Sequence, residues 1–497
     1  MLRILGSPKR LCAGATRREM LCAGGLGLLG FGLSDLFHLS EIQATPHQRE
    51  RSFGKAKSCI LLYLYGSPSQ LETFDMKPDA PLEIRGEFKP IRSRLPGLDV
   101  CELLPYSANV MDRVTVLRSL THPYPLHGVA YATTGAPTID VPMELNPRDG
   151  RHQPFIGCVV DYLGRQRKKT GTVPDNIALP FPFSSRRTGE VQRAGPYAAY
   201  LGSAFNPLWT EFRGEATKRI VKTLAGQTLD VAEPYVGIAP EGRFELAAAA
   251  DPAADLTLDR LDSRRSLMEQ FDEARRDLRE GDAGRALDRH RQRAFDLIRS
   301  PKMRTALDLS QEPLPLRESY GLTVFGQAAL AARRLVEAGS RFVTVTWDEY
   351  GLAGSAWDTH WEHYPRMKNE LMPGFDRGFS GLIADLDQRG MLDETLVLVL
   401  SEHGRTPKIN SAKGGGRDHW SQAYSAVMAG GGIGRGRVIG RTDKIAGTVA
   451  ERPISPKDVL ATVYHLLGID PETLLHDRTN RPLPLVQNAS VIAEALA

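Results

Sequence analysis

Three pairings of an acidic residue with a histidine stand in the last third of the sequence: Asp358-Thr359-His360, Glu402-His403 and Asp418-His419. Carboxylate oxygen with imidazole nitrogen is the donor mix of Zn²⁺, Mn²⁺ or Fe centres, with Mg²⁺ favoured where oxygens dominate. An acid and an adjacent histidine can face two different ions if the backbone turns between them. Two ions about 4 Å apart clamp an in-line displacement at phosphorus or sulfur. One such pair is as readily a surface contact or a helix cap. Three together point to one or two divalent ions held by Asp358, His360, Glu402, His403 and His419, with Asp418 as ligand or as support behind a ligand.

The elements that must position these residues are legible around them. Cys59 to Tyr65 is a continuous apolar run stopped by Gly66, which fits a strand buried on both faces. Val114 to Leu117 is a second strand. Thr323 to Ala338 reads as a helix stopped by Gly339 and followed by a strand over 341–346. Met367 to Arg389 is a helix stopped by Gly390 and followed by a strand over 395–400. Helix–strand alternation predicts an α/β fold with a mostly parallel sheet flanked by helices, whose ligands bind beyond the carboxyl ends of the strands. Glu402-His403 directly follows one such strand, Asp358-Thr359-His360 follows another at about a dozen residues, and Asp418-His419 follows the loop Gly414-Gly415-Gly416. The stretch 136–255 is rich in Pro, Gly and Arg and shows no usable period. From about 256 to 312, charged residues alternate with Leu267, Phe271, Leu278 and Leu287 at helical spacing, which predicts a helical insertion with a solvated face.

The run Asp376, Leu382, Leu386, Gly390, Asp393, Thr395 to Leu400 and Ser401-Glu402-His403-Gly404 resembles the sulfatase and phosphopentomutase branch of the alkaline-phosphatase-like superfamily. Several segments are more closely similar to the family known as domain of unknown function 1501: Gly66 to Asp75, Tyr320 to Gly339, Trp357 to His360, Ser401 to Asn410 and Gly416 to Trp420. The resemblance implies an alkaline-phosphatase-like domain over 45–497, with Asp358, His360, Glu402, His403 and His419 in its metal-binding positions. Glu402 replaces the superfamily's aspartate there. Two departures follow from the same comparison. Gly66-Ser67-Pro68 stands where active members carry an acid after the first strand, with Glu72 or Asp75 as substitutes from farther along. The stretch Thr121 to Gly135 matches the helix that presents a Ser, Thr or Cys nucleophile, yet it offers Pro125 or His127 there. His127 could bind metal, attack, or act as general acid/base, or simply pack a helix start. His363, outside these motifs, is expected to be dispensable.

The implied activity is metal-dependent hydrolysis of a phosphate or sulfate ester. The alternative is a non-catalytic relative that binds a polyanion or a protein partner in the cell envelope. Thr16-Arg17-Arg18-Glu19-Met20-Leu21, a glycine-rich apolar run to Phe37 and Ile42-Gln43-Ala44 resemble a twin-arginine signal over 1–44. That predicts export to the periplasm or envelope, with no integral membrane segment once the signal is removed. Beyond residue 44 the chain has 58 basic and 56 acidic residues, so bulk charge offers nothing to nucleic acid. Cys59, Cys101 and Cys158 form no disulfide framework. The glycines of 430–436 lack a following Lys-Ser/Thr and read as a turn, and Arg333-Arg334 read as a solvated helix face. Trp357 and Trp420 are candidates to wall the pocket or to pack.

Overall fold

The core begins with the apolar run seen in the sequence. In a computed structural model describing residues 51–166, 173–188, 193–224, 227–246, 300–352 and 354–497, strand β1 (Ser58–Leu64) is buried along its whole length. The segments expected to form the signal and most of the expected helical insertion lie outside the described residues. Eight further strands complete one sheet: β2 (Val114–Leu120), β3 (Asn176–Leu179), β4 (Leu208–Arg213), β5 (Arg243–Leu246), β6 (Phe342–Trp347), β7 (Thr395–Leu400), β8 (Tyr424–Ala429) and β9 (Arg437–Ile439). Their order is β5-β4-β3-β6-β1-β7-β8-β2-β9. The run β4-β3-β6-β1-β7 is parallel throughout, β2 and β9 also pair in parallel, and β5, β7–β8 and β8–β2 supply the antiparallel pairings. The mostly parallel α/β core expected from helix–strand alternation is what the chain builds.

Helices flank this sheet: α1 (Val129–Thr134), α2 (Ile156–Gln166), α3 (Val324–Glu337), α4 (Met372–Gln388) and α5 (Pro456–Leu466). Helix α3 starts where the Thr323 hydroxyl accepts the Gly326 N–H, and α5 carries a full capping box between Ser455 and Asp458. Helices α3 and α4 pack on each other, and the strands β6 and β7 that follow them are buried throughout. Burying a Leu or Val side chain is worth about 1.5–3 kcal/mol, so these central strands are the stable floor under the site.

One detail differs from the sequence reading, and another settles an alternative. Arg333 is not on a solvated face: its side chain is 1% exposed and meets Glu312 at 2.7 Å, Glu337 at 2.6 Å and Asp385 at 3.0 Å. A charge this deep persists because three carboxylates compensate its desolvation. Trp357 packs, 5.4 Å from Trp347 and 5.9 Å from Phe375, and does not wall an opening. The glycines of 430–436 do form the turn between β8 and β9, with Gly430, Gly431 and Gly432 all at positive φ. Cys59, Cys101 and Cys158 are buried thiols outside any disulfide. Among the described residues no helix is long and apolar enough to cross a membrane.

Candidate metal centre

Strand β1 lies between β6 and β7, so three parallel strands end side by side, and the chain after each one enters the same space. After β1 comes the sharp turn at Gly66 (φ +93°) and Ser67 (φ +68°). After β6 comes the loop that carries Asp358 and His360. After β7 come Glu402 and His403. A short antiparallel pairing of Gly404–Arg405 with His419–Trp420 folds the glycine-rich loop back and delivers His419. The loops are stitched together: the Arg417 N–H reaches Thr359 O at 3.0 Å and Asn410 Nδ2 reaches His360 O at 3.0 Å. His127 arrives from the turn just before α1.

Two groups of three donors result, His127 with His403 and His419, and Asp358 with His360 and His419. The protonation pattern of the four imidazoles is set from behind. His403 Nδ1 donates to Gly404 O at 2.7 Å, His419 Nδ1 to Pro125 O at 3.2 Å, His360 Nδ1 to Asp418 at 2.7 Å and His127 Nδ1 to Glu402 at 2.9 Å. In each case Nε2 is left to face the shared space. His419 Nε2 lies 3.0 Å from His360 Nε2 and 3.2 Å from Asp358 Oδ1, and His127 Nε2 lies 3.3 Å from Asp358 Oδ2. His403 Nε2 is buried with no hydrogen-bond partner. A buried lone pair without a donor, on a ring whose other nitrogen is pinned by a carbonyl, is the arrangement that suits a cation, and an outer acceptor behind each ligand histidine is the usual support. The residues present therefore fit a divalent ion.

Electrostatics agree with that reading. Burial would push the Asp358 carboxyl up, but His127 and Arg405 outweigh it and hold the group well below the usual carboxylate range. Burial pulls His127 down, yet Asp358 and Glu402 on either side raise it to about 9. Burial lowers His403 far below its ordinary value, with His419 and Arg405 adding to the effect. Burial also lowers His419 to about 4 against the pull of Asp358, and His360 is raised by Asp358 against its own burial. Without an ion, burial keeps His403 and His419 neutral and able to ligate, whereas Asp358 favours the charged form of His127 and His360, and an ion at His360 has to displace that proton. His360 and His419 are the open side, with side chains 25% and 22% exposed.

The structure separates the expected site residues into two tiers. Asp358, His360, His403, His419 and His127 converge. Glu402 and Asp418 stand behind histidines, outside both donor groups. Both oxygens of Glu402 are engaged: Tyr63 Oη donates at 3.0 Å, the Gly66 N–H at 2.7 Å and His127 at 2.9 Å. The suggested substitutes for the missing acid lie elsewhere. Glu72 is buried against Arg417 and His363, and Asp75 binds Lys77, Arg118 and Thr442. His363, outside the motifs, is fully buried between Thr359 at 2.8 Å and Glu72 at 3.3 Å.

Sequence reasoning passed over several contributors. Arg405 holds Asp358 Oδ1 at 2.7 Å and also donates to the carbonyls of Gly66, Ser67 and Arg417. Its place two residues after Glu402-His403 was a signal. Tyr63 points at Glu402 from β1, and His122, lowered to about 4 by burial, donates to Glu402 O at 2.8 Å. Trp361, which the sequence reading did not consider, stacks on His360 at the opening, with ring centres 5.9 Å apart and planes 28° apart.

Arg417 anchors the loop that ends in Asp418-His419, and its Glu72 partner is equally buried. Burial would raise Glu72, but Arg417 and His363 bring it down to about 2. A carboxyl whose folded pKa lies below its unfolded value of about 4.3 gives stability that is full above that value and lost as pH falls through about 2. Arg417→Ala leaves this carboxylate buried and unpaired, and is expected to cost about 3–5 kcal/mol in denaturant unfolding at pH 7. In Glu72→Gln the acid-induced loss of stability between roughly pH 4.5 and pH 2 should be smaller than in wild type. Equal unfolding midpoints for Arg417→Ala and wild type would refute the anchor.

An α/β protein whose strand ends carry an imidazole-rich centre is the class that fold and site define. The sequence matches the DUF1501 family, proteins of unknown function, over residues 56–496, and the chain belongs to that family. No curated protein matches it. Among solved structures, the chain is similar to the PsFucS1 sulfatase from Pseudoalteromonas sp., at 13% identity, covering 91% of this chain and 76% of that one with a TM-score of 0.39. It is also similar to the phosphonate monoester hydrolase SpPMH from Silicibacter pomeroyi, at 12% identity, covering 83% and 73% with a TM-score of 0.30. Both likenesses are distant.

Proposed function

We propose that this protein is an exported, metal-dependent hydrolase of phosphate or sulfate esters. The observation that carries the reading is the convergence of four imidazole Nε2 atoms and the Asp358 carboxylate at the ends of β1, β6 and β7, each ring held from behind by an acceptor. Asp358, His360, His403 and His419 are the residues to hold a divalent ion, with Asp418 orienting His360. When bound, such an ion supplies Lewis-acid polarisation of an ester oxygen and makes a nearby water more acidic.

The chain's own residues do the rest. Glu402 fixes the Nδ1–H of His127, which makes Nε2 the atom of that ring free to exchange a proton with water or with the departing ester oxygen. Arg405 holds Asp358 in place and offsets its charge. The substrate enters on the His360 and His419 side, where Trp361 stacks on His360. No serine, threonine or cysteine occupies the stretch Pro123 to Gly128, so this reading uses water as nucleophile and forms no covalent intermediate on the chain.

That same absence favours a second reading, a non-catalytic relative that keeps the centre and binds a polyanion or a protein partner in the envelope. One experiment separates them. The exported fraction of cells and the purified full chain are assayed on aryl phosphates, phosphodiesters and sulfates, with Zn²⁺ or Mn²⁺ added and again after chelation. Turnover that vanishes on chelation and returns with metal is expected. Tight metal binding without turnover on any of the three classes would hand the case to the binding reading.

A further inference from the structure

His419 belongs to both donor groups, and it has one lone pair to give because its Nδ1–H is taken by Pro125 O. Two dications at close range repel strongly and are held together by several carboxylates between them. Here Asp358 is the one carboxylate in either group. Its Oδ1 is shared with Arg405 and its Oδ2 faces His127.

The place from which further carboxylates would come is already filled. At the end of β1 the residue is Gly66, with no side chain, and its N–H is spent on Glu402 Oε1 at 2.7 Å. Glu402 receives two more donors, from Tyr63 on Oε2 and His127 on Oε1. Its side chain is fully buried, and a cation could reach it only by displacing these hydrogen bonds. Opposite this crowded side, Asp358 Oδ1, His360 Nε2 and His419 Nε2 are separated by 3.0, 3.0 and 3.2 Å. Metal–ligand bonds of about 2.0–2.1 Å give a tetrahedral ion an edge of about 3.3 Å, so these three atoms already form one face of such an ion. His403 Nε2, unpartnered and buried, belongs to the other group and meets this face through their shared member, His419.

We infer that the centre holds one divalent ion on Asp358, His360 and His419, with His403 closing in as fourth ligand through its place beside His419, and that the His127–Glu402 pair stands where a second ion would otherwise sit. The inference rests on the metal-dependent reading above and fixes its stoichiometry. It also assigns Glu402 and Tyr63 as positioning residues: they orient His127 and do not touch the ion. The donor set, three imidazoles to one carboxylate, selects an ion of the Zn²⁺ kind over Mg²⁺.

The test is metal binding by the full chain, read without any activity. Chelator-stripped protein is titrated with Zn²⁺ against a competing chromophoric chelator, and the loaded protein is analysed for metal after dialysis. One Zn²⁺ per chain is expected. Glu402 supports a histidine that is not a ligand, so Glu402→Gln should keep that single ion with an affinity lowered by less than about tenfold, whereas His360→Ala should lower it by more than about 100-fold. Two tightly held ions in wild type would overturn the inference while leaving the metal-dependent reading intact. So would one ion lost, of two, in Glu402→Gln. If that variant does not fold, the wild-type stoichiometry alone decides. No bound ion at all would overturn both.

Discussion

His127→Ala should lower ester hydrolysis by about 10²–10⁴-fold while leaving the bound ion and the unfolding midpoint close to wild type. The expectation comes from where each nitrogen of this ring points. Nδ1 is bonded to Glu402 at 2.9 Å, and Glu402 is in turn fixed by Tyr63 and the Gly66 N–H. Nε2 therefore faces Asp358 and the space in front of it in one orientation, with no rotamer search at the moment of reaction. Removing the ring removes the proton-exchanging atom but none of the donors assigned to the ion. Tyr63→Phe provides the graded control, because it loosens Glu402 without touching His127, and a loss of up to about tenfold in kcat with KM unchanged is expected. If His127→Ala kept full turnover, His127 would leave the mechanism. If it lost the ion together with the activity, His127 would be a ligand and the proton-exchange role would fall.

How much of this was legible in the sequence depended on how local the signal was. β1 and β7 are almost continuous apolar runs and β6 alternates apolar residues with threonine, and each appears within about one residue of its expected place. Glu402-His403 was visible because it directly follows β7, and the other two acid–histidine pairs were visible by composition in the loops beyond the strands. β3 was not, since Asn176–Leu179 is four residues long between Pro174 and Pro180 and shows no period, yet it lies in the parallel core beside β6. Burial of charge was also illegible: Arg333 has the spacing of a solvated helix face and becomes buried because Glu312 and Asp385 arrive from distant segments. The tiering of the site failed for the same reason. The sequence places Glu402 beside His403, but only the neighbouring strand supplies Tyr63 and Gly66, whose donors fill the Glu402 carboxylate. Adjacent residues on a turning backbone face opposite ways, and which one faces the ion is a tertiary fact.

The glycine that replaces the expected acid can be tested in the same terms. Gly66 sits at φ +93°, and a Cβ placed on it would lie 2.3 Å from Asp358 N and 2.8 Å from Trp357 C. Both are backbone atoms in a segment already tied to β1 by the Trp357 N–H to Tyr65 O bond at 2.9 Å, so neither can swing aside. The absent acid is thus a consequence of close approach: the loop that delivers Asp358 passes where that side chain would be. Gly66→Ala is expected to cost about 2–5 kcal/mol, from the positive φ and the forced shift together, and to lose the bound ion because Asp358 must move. Gly66→Asp, which places an acid at this turn, should fare no better and should gain no second ion. Gly97→Ala separates the two costs. Gly97 has φ +82° and a Cβ there would meet nothing within 4 Å, so this variant should lose about 1–2 kcal/mol while keeping the ion. The measurements are unfolding midpoints and metal content of the dialysed proteins. Should Gly66→Ala behave like Gly97→Ala, the close approach would not be what excludes the acid, and the one-ion centre would lose its structural cause.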